Sequence, residues 1–327
     1  MSLEIFWFVF IAVLLSGFFF LEGFDFGVGI LQFFLGKNDR ERRTYISSIG
    51  PHWDGNEVWL LTAVGATFAA FPAWYATLFS ALYLPFVVLL LALIARGVCF
   101  EFRHRAYYSA RLRIICDITL MVSSLFSAFL VGIIMANLLI GIPIDLQGNF
   151  AGSLSDLLKP TALFAGMLGF SLFLSNGALF LNLKIEGELQ ERVCKISKIL
   201  ISFSVFLFSI MTIFFWKHSA TCLVAFVFVL ASAVFVFRKN YKLAFISLGL
   251  CIACSVAALF YALFPNVLIS TLAENNLNIW NTASSKYTLK IMSISAAIFF
   301  PIILAYQIWS YYVFRKRISP RSANLEV

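Results

Sequence analysis

Two stretches decide how this chain is read: Phe20-Leu-Glu-Gly-Phe-Asp-Phe-Gly-Val-Gly29 and, after a basic loop, Gly50-Pro-His-Trp-Asp-Gly-Asn-Glu-Val-Trp59. They place Glu22, Asp25, Asp54 and Glu57 within or at the ends of two strongly apolar segments. An ionisable group at membrane depth is expensive and marks a partner or a task. Four of them around one short loop are the feature to explain.

Working outward, the 327 residues are 61% hydrophobic and 12% charged, with a mean hydropathy of +0.93. Soluble domains are about 25% charged, so the class is an integral membrane protein. The whole chain, 1–327, reads as one helical membrane domain with no soluble module. The six cysteines lie mostly in or beside apolar runs. Cys251-x-x-Cys254 has redox-like or metal-like spacing, but no histidine or second pair accompanies it, so it reads as small core residues. The N-terminus lacks the basic region of a signal peptide, and its apolar run is too long for one; it reads as a retained first span.

Apolar runs of about 20 residues predict an all-α protein with nine spans, at 5–34, 54–72, 75–101, 114–140, 160–183, 196–216, 219–237, 243–264 and 287–314. The first is long enough to require tilt, overhang or a bend at Gly23, Gly27 or Gly29. Phe71-Pro72-Ala73-Trp74 reads as a tight turn with an interfacial tryptophan. The segment 184–195 reads as a solvated helical connection with Glu/Lys pairing. The loops after spans 1, 3, 5 and 7, together with the C-terminal tail, hold 20 of the 24 Lys and Arg residues. By the positive-inside rule the N-terminus is outside and the C-terminus cytoplasmic. The basic excess therefore belongs to topology, and no nucleic-acid partner is expected.

On this topology every acid associated with a span, except Glu4, lies in the cytoplasmic half. Glu22 and Asp25 share a helix face, as do Asp54 and Glu57, because positions i and i+3 are neighbours. Glu101 closes span 3 and Asp117 opens span 4. A one-sided ladder of carboxylates suits proton uptake from the cytoplasm. Each acid also has a plainer reading. Asp54 can cap the helix that follows His52, Glu101 can pair with Arg103 or Arg105, and Asp117 can balance Arg113. Glu22 and Asp25 have no basic residue within a turn, and Arg96 is the intrachain cation best placed to meet them. Haem ligation needs suitably placed His, Met or Cys. The only histidines, His52, His104 and His218, sit in loops or at span ends, so neither haem ligands nor metal ligands are expected in this chain. No Walker loop, dinucleotide fingerprint or nucleophile elbow is present.

Taken together, Glu22-Gly-Phe-Asp-Phe-Gly-Val-Gly29, Gly50-Pro-His-Trp-Asp-Gly-Asn-Glu-Val-Trp-Leu60, Phe68-Ala-Ala-Phe-Pro72, Arg96-Gly97 with Phe100-Glu-Phe-Arg103, and Ile279-Trp-Asn-Thr-Ala-Ser-Ser285 resemble subunit II of the cytochrome bd quinol oxidases. The likeness runs from the first span to the last. It implies a heterodimer with subunit I, which binds haem b and haem d (or b in place of d) and is where quinol and oxygen react. Subunit II itself carries no haem, stabilises the complex and contributes a proton route. The resemblance maps that route onto Glu22, Asp25, Asp54 and Glu101, with Trp53 and Asn56 positioning Asp54; Glu57, Arg96 and Asp117 stand as supporting residues. It also allows a small single-span subunit, a structural quinone and membrane lipid as companions. Some members carry a long insertion where this chain has only Trp216-Lys-His-Ser219. Two rivals are a stand-alone proton-coupled secondary transporter, which often shows inverted repeats and broken helices, and a scaffold subunit whose acids form inter-subunit salt bridges.

Overall fold

The computed structural model describes residues 2–106, 109–215, 220–272 and 275–319. The expectations for His218 and for the short connection 216–219 fall outside them. Twelve helices follow in order: α1 (Leu3–Leu35), α2 (Asp39–Ser47), α3 (Trp53–Ala70), α4 (Pro72–Ala81), α5 (Tyr83–Arg105), α6 (Ala110–Ile140), α7 (Leu154–Leu157), α8 (Pro160–Lys184), α9 (Glu188–Phe215), α10 (Ala220–Phe237), α11 (Tyr241–Leu263) and α12 (Lys286–Val313). Between α11 and α12, β1 (Asn266–Leu268) pairs antiparallel with β2 (Leu277–Asn278).

Among the described residues, seven helices are long and apolar enough to cross a membrane: α1, α5, α6, α8, α9, α11 and α12. Among these residues the expected count of nine is not reached on length and hydropathy alone: α3 spends its first turns on Asp54, Asn56 and Glu57, and α10, an apolar helix of 18 residues, adjoins residues outside the described ones. The expected span 75–101 is two helices broken at Leu82. Pro85 explains the break, since it has no N–H to offer the carbonyl four residues back and so belongs in the first turn of a new helix. Pro72 likewise opens α4, and Trp74 is turned into the bundle: it is 2% exposed and packs near Phe71.

Helix α1 is the central post. It is continuous for 33 residues, about 50 Å at 1.5 Å per residue. Its glycines serve close packing: a Cβ on Gly27 would sit 2.8 Å from the Gly177 Cα of α8, and one on Gly177 would sit 2.6 Å from the Gly27 Cα. With no side chain at either position the two backbones meet directly, the contact small residues permit between membrane helices. Apolar side chains from Trp7 to Phe26 then fill the core toward α3, α8 and α11, with a second cluster around Phe24, Tyr45, Leu120 and Phe180 at the basic end.

The two ends of the bundle differ in chemistry. At one end the long loops interlock through backbone: Ile142 N donates to Ile269 O, Thr271 N to Ile142 O, and Ser284 N to Ala70 O. At the other end the basic segments meet. Arg192 donates to Glu41 at 2.7 and 2.8 Å and to Leu35 O, Lys184 donates to Phe314 O, and Ile318 N donates to Lys184 O. The segment 184–195 is therefore no ordinary solvated connection, because Lys184 is buried and Arg192 is tied to α2. The basic loop after α1 is itself a helix, capped by Asn38 accepting from Glu41 N and burying Tyr45 and Ile46.

Candidate functional site

Glu22, Asp25, Asn56 and Arg96 come together in the interior from α1, α3 and α5, and all four are fully buried. Arg96 forms an ion pair with Glu22, the partner the sequence singled out. Its guanidinium lies over two rings, 5.0 Å from the centroid of Phe26 and 5.2 Å from that of Phe100. Such contacts cover a desolvated cation with π-faces. Asn56 Nδ2 donates to Asp25 Oδ2 at 2.7 Å. Asn56 Oδ1 in turn accepts from Gln307 Nε2 at 3.0 Å and from Tyr311 OH at 2.8 Å. Among the described residues, Oε2 of Glu22, Oδ1 of Asp25, and Nε and Nη2 of Arg96 have no hydrogen-bond partner.

This arrangement revises several residue roles. Asn56 does not position Asp54; it faces α1 and holds Asp25. Asp54 does not cap α3, whose N-cap is His52; it is exposed and accepts from its neighbour Gly55 N at 2.7 Å. Trp53 stacks on Phe100 at 5.0 Å. Glu57 is half-buried. Glu101 is exposed on the wall of a cleft of about 310 Å³ that it shares with Arg43, Gly50, Trp53, Phe100 and His104. The stacked Trp53 and Phe100 rings line this cleft, and Arg96 lies against Phe100 beyond them. Of the four proposed route residues, the structure thus joins Glu22 and Asp25 and leaves Asp54 and Glu101 at the surface.

Asp117 belongs to a different cluster. It pairs with Arg103 and with Arg42 (3.4 Å), while Arg113, its expected partner, pairs with Asp39 at 3.3 Å. Gln32 donates to the backbone carbonyl of Asp117 at 2.9 Å. Gln307, Tyr311 and His52 are the residues that sequence reasoning missed. Gln307 and Tyr311 are one helical turn apart near the end of the last span, a spacing that puts both on one face. His52 is 3% exposed and stacks face to face with Tyr311, centroids 4.2 Å apart. Burial, then the charge of Lys184, pushes its pKa down to about 4. With Tyr311 on one face and the Phe314 edge nearby, the His52 ring is enclosed by aromatic side chains.

The family model for cytochrome bd terminal oxidase subunit II matches residues 3–314. The chain belongs to that family. It is 41% identical over 331 residues to cytochrome bd ubiquinol oxidase subunit 2 of Bacillus subtilis, covering 97% of each chain. It is 31% identical over 362 residues to cytochrome bd-I ubiquinol oxidase subunit 2 of Escherichia coli K12, covering 97% of this chain and 95% of that one. A chain in the structure of bd oxidase from Geobacillus thermodenitrificans shares the fold, with a TM-score of 0.72 at 17% identity over 96% of this chain and 97% of that one. As a subunit II of the cytochrome bd oxidases, the protein is a multi-pass protein of the bacterial cell membrane and part of an oxidoreductase complex that includes a subunit I.

Proposed function

We propose that this chain is the haem-free subunit of a quinol oxidase and carries a proton-uptake route from the cytoplasm toward the site where its partner reduces dioxygen to water. The observation that carries the reading is the buried group of two carboxylates with a single guanidinium, Glu22, Asp25 and Arg96. Charge balance in a desolvated site requires the second carboxylate to hold a proton, and a proton held among unpartnered polar atoms is a proton that can be passed on. Asp54 and Glu101 collect protons at the surface, and the cleft beside Glu101 brings them to the Trp53–Phe100 pair. The partner subunit holds haem b and haem d, or b in its place, and oxidises ubiquinol, the substrate in the relatives' names.

The chain spans the membrane nine times as one domain, with α4 and α5 forming one broken span, the N-terminus outside and the basic end cytoplasmic. The partner covers α3 and α12. Helix α12 buries only Leu289 among its described residues, and α3 turns Asp54, Val58, Leu61 and Phe68 outward. An exposed carboxylate on such a face suits protein cover better than lipid. A structural quinone tail or lipid chain would find room in an apolar cavity of about 210 Å³ between α1, α6, α8, α9, α10 and α11, lined by Phe19, Gly132, Leu172, Phe208 and Ile252. The test is Asp25→Asn and Asp54→Asn in the assembled complex, scored for oxygen consumption and haem content. Full haem with slow turnover is expected. Loss of haem together with activity would make the acids braces of a scaffold, and unchanged turnover would remove the route.

A further inference from the structure

Helix α12 touches the rest of the bundle sparingly, yet two of its side chains reach the buried group. Gln307 and Tyr311 both donate to Asn56 Oδ1, and Asn56 donates to Asp25. Tyr311 is held in place by its stack on His52 and by the edge of Phe24, 6.5 Å away. The chemistry of the chain of contacts is unusual in one respect: every member can reverse its role. An amide has a donor end and an acceptor end, a phenol hydroxyl donates or accepts, and a carboxyl group accepts when ionised and donates when protonated.

We propose that Asn56, Gln307 and Tyr311 form a hydrogen-bond unit of reversible polarity that accommodates Asp25 in both of its protonation states, which makes Gln307 and Tyr311 positioning residues for proton transfer. The inference rests on reading Asp25 as a proton carrier. With no proton on Asp25 Oδ2, the unit runs as observed, both α12 donors on Asn56 Oδ1 and the Asn56 NH₂ on Asp25 Oδ2. When a proton arrives at Asp25 Oδ2, the Asn56 amide turns half a revolution about Cβ–Cγ. Its Oδ1 then accepts from the new Asp25 hydroxyl, and its Nδ2 donates to Tyr311 Oη or to Gln307 Oε1, the Gln307 amide and the Tyr311 hydroxyl having turned with it. Departure of the proton reverses the sequence. One proton is gained and lost, and no bond between heavy atoms changes. A carrier in an apolar interior needs such a partner, because a fixed donor satisfies one protonation state and strands the other. The sequence placed Asn56 beside Asp54; only the packing of α12 supplies the two groups that let it turn.

The test uses the purified oxidase complex and redox-difference infrared spectroscopy beside oxygen consumption. Asp25→Asn is the reference: it should slow turnover and delete one protonated-carboxyl band. Tyr311→Phe and Gln307→Met, in complexes with full haem content, should each shift that band and slow turnover about five-fold, the factor that one hydrogen bond of ordinary strength is worth. Should Tyr311→Phe fail to assemble, Gln307→Met, which keeps the side-chain length, carries the test. A band and a turnover unchanged by both substitutions, with Asp25→Asn still slow, would overturn the reversible unit and leave the carrier standing. A normal Asp25→Asn complex that loses no band would overturn the carrier and the unit together.

Discussion

Two carboxylate–arginine clusters sit a short distance apart in this protein and are built on opposite principles. Around Asp117, three arginines (Arg42, Arg103 and Arg113) face two carboxylates, Asp39 and Asp117, and both oxygens of Asp117 receive donors. Around Glu22, two carboxylates face one guanidinium, Arg96, which among the described residues pairs with Glu22 alone, and neither carboxylate has a donor on both oxygens. The first cluster ties α2, α5 and α6 together at the wet end of the bundle. The second is fully buried and short of donors. A surplus of donors makes a clamp; a surplus of carboxylate makes a place for a proton. Both motifs look alike along the chain, an acid inside an apolar run, and only the count of facing cations tells them apart.

Breaking the buried pair should have the largest effect. Arg96→Met leaves Glu22 as an uncompensated buried charge, and thermal unfolding of the complex should show a loss of about 3–5 kcal/mol. The double variant Glu22→Met with Arg96→Met should recover most of that stability while turnover stays low, which separates packing from proton handling. At the clamp, Asp117→Asn keeps an acceptor but loses the charge, so a smaller loss of about 1–3 kcal/mol is expected with turnover largely retained; a turnover defect matching that of Asp25→Asn would merge the two clusters into one route.

A third comparison is by pH. His52 titrates at about 4 in the folded protein because burial and Lys184 disfavour its charged form, against about 6.5 in the unfolded chain. Between those values the unfolded state binds a proton that the native state refuses, so this contribution is intact above about pH 6.5 and is lost as pH falls toward 4. In His52→Phe the melting temperature should fall less steeply over that window. The smallest effect belongs to Glu41. Its hydrogen bonds from Arg192 hold its carboxyl below the ordinary range, a stabilisation present at neutral pH and lost as the pH falls through its folded pKa. As a partly solvated pair it is worth about 0–1 kcal/mol, and Glu41→Gln should barely move the melting temperature at pH 7 and not at all in strong acid.

Much of the protein was legible in its residues. Hydropathy alone marks the long helices, since a 20-residue apolar run has few other ways to satisfy its backbone in lipid. The one-sided distribution of Lys and Arg foreshadows the basic end, where Arg192, Lys184 and Arg42 are found together. The Glu22–Arg96 pair was readable as well, because a buried acid with no local cation must find one elsewhere. Other features were not. Pro85 splits a span that is uniformly apolar, and the helix α2 lies hidden in what composition marks as a basic loop. Asp54 and Asn56 are two residues apart, so they point to different sides of α3, and nothing in the motif says which side faces α1.

What the sequence by itself determined, then, is the class of protein, the long apolar segments and the list of residues too costly to be idle. Those follow from local quantities: the free energy of burying a side chain and the period of a helix. Which acid is buried, which is exposed and which cation each meets was decided only by tertiary packing. The Gly27–Gly177 contact draws α8 against α1, and the approach of α12 brings Gln307 and Tyr311 to Asn56. Charge balance in an interior is a property of several helices at once, and residues as distant in sequence as Asp25 and Tyr311 acquire a shared chemistry only when the chain is folded.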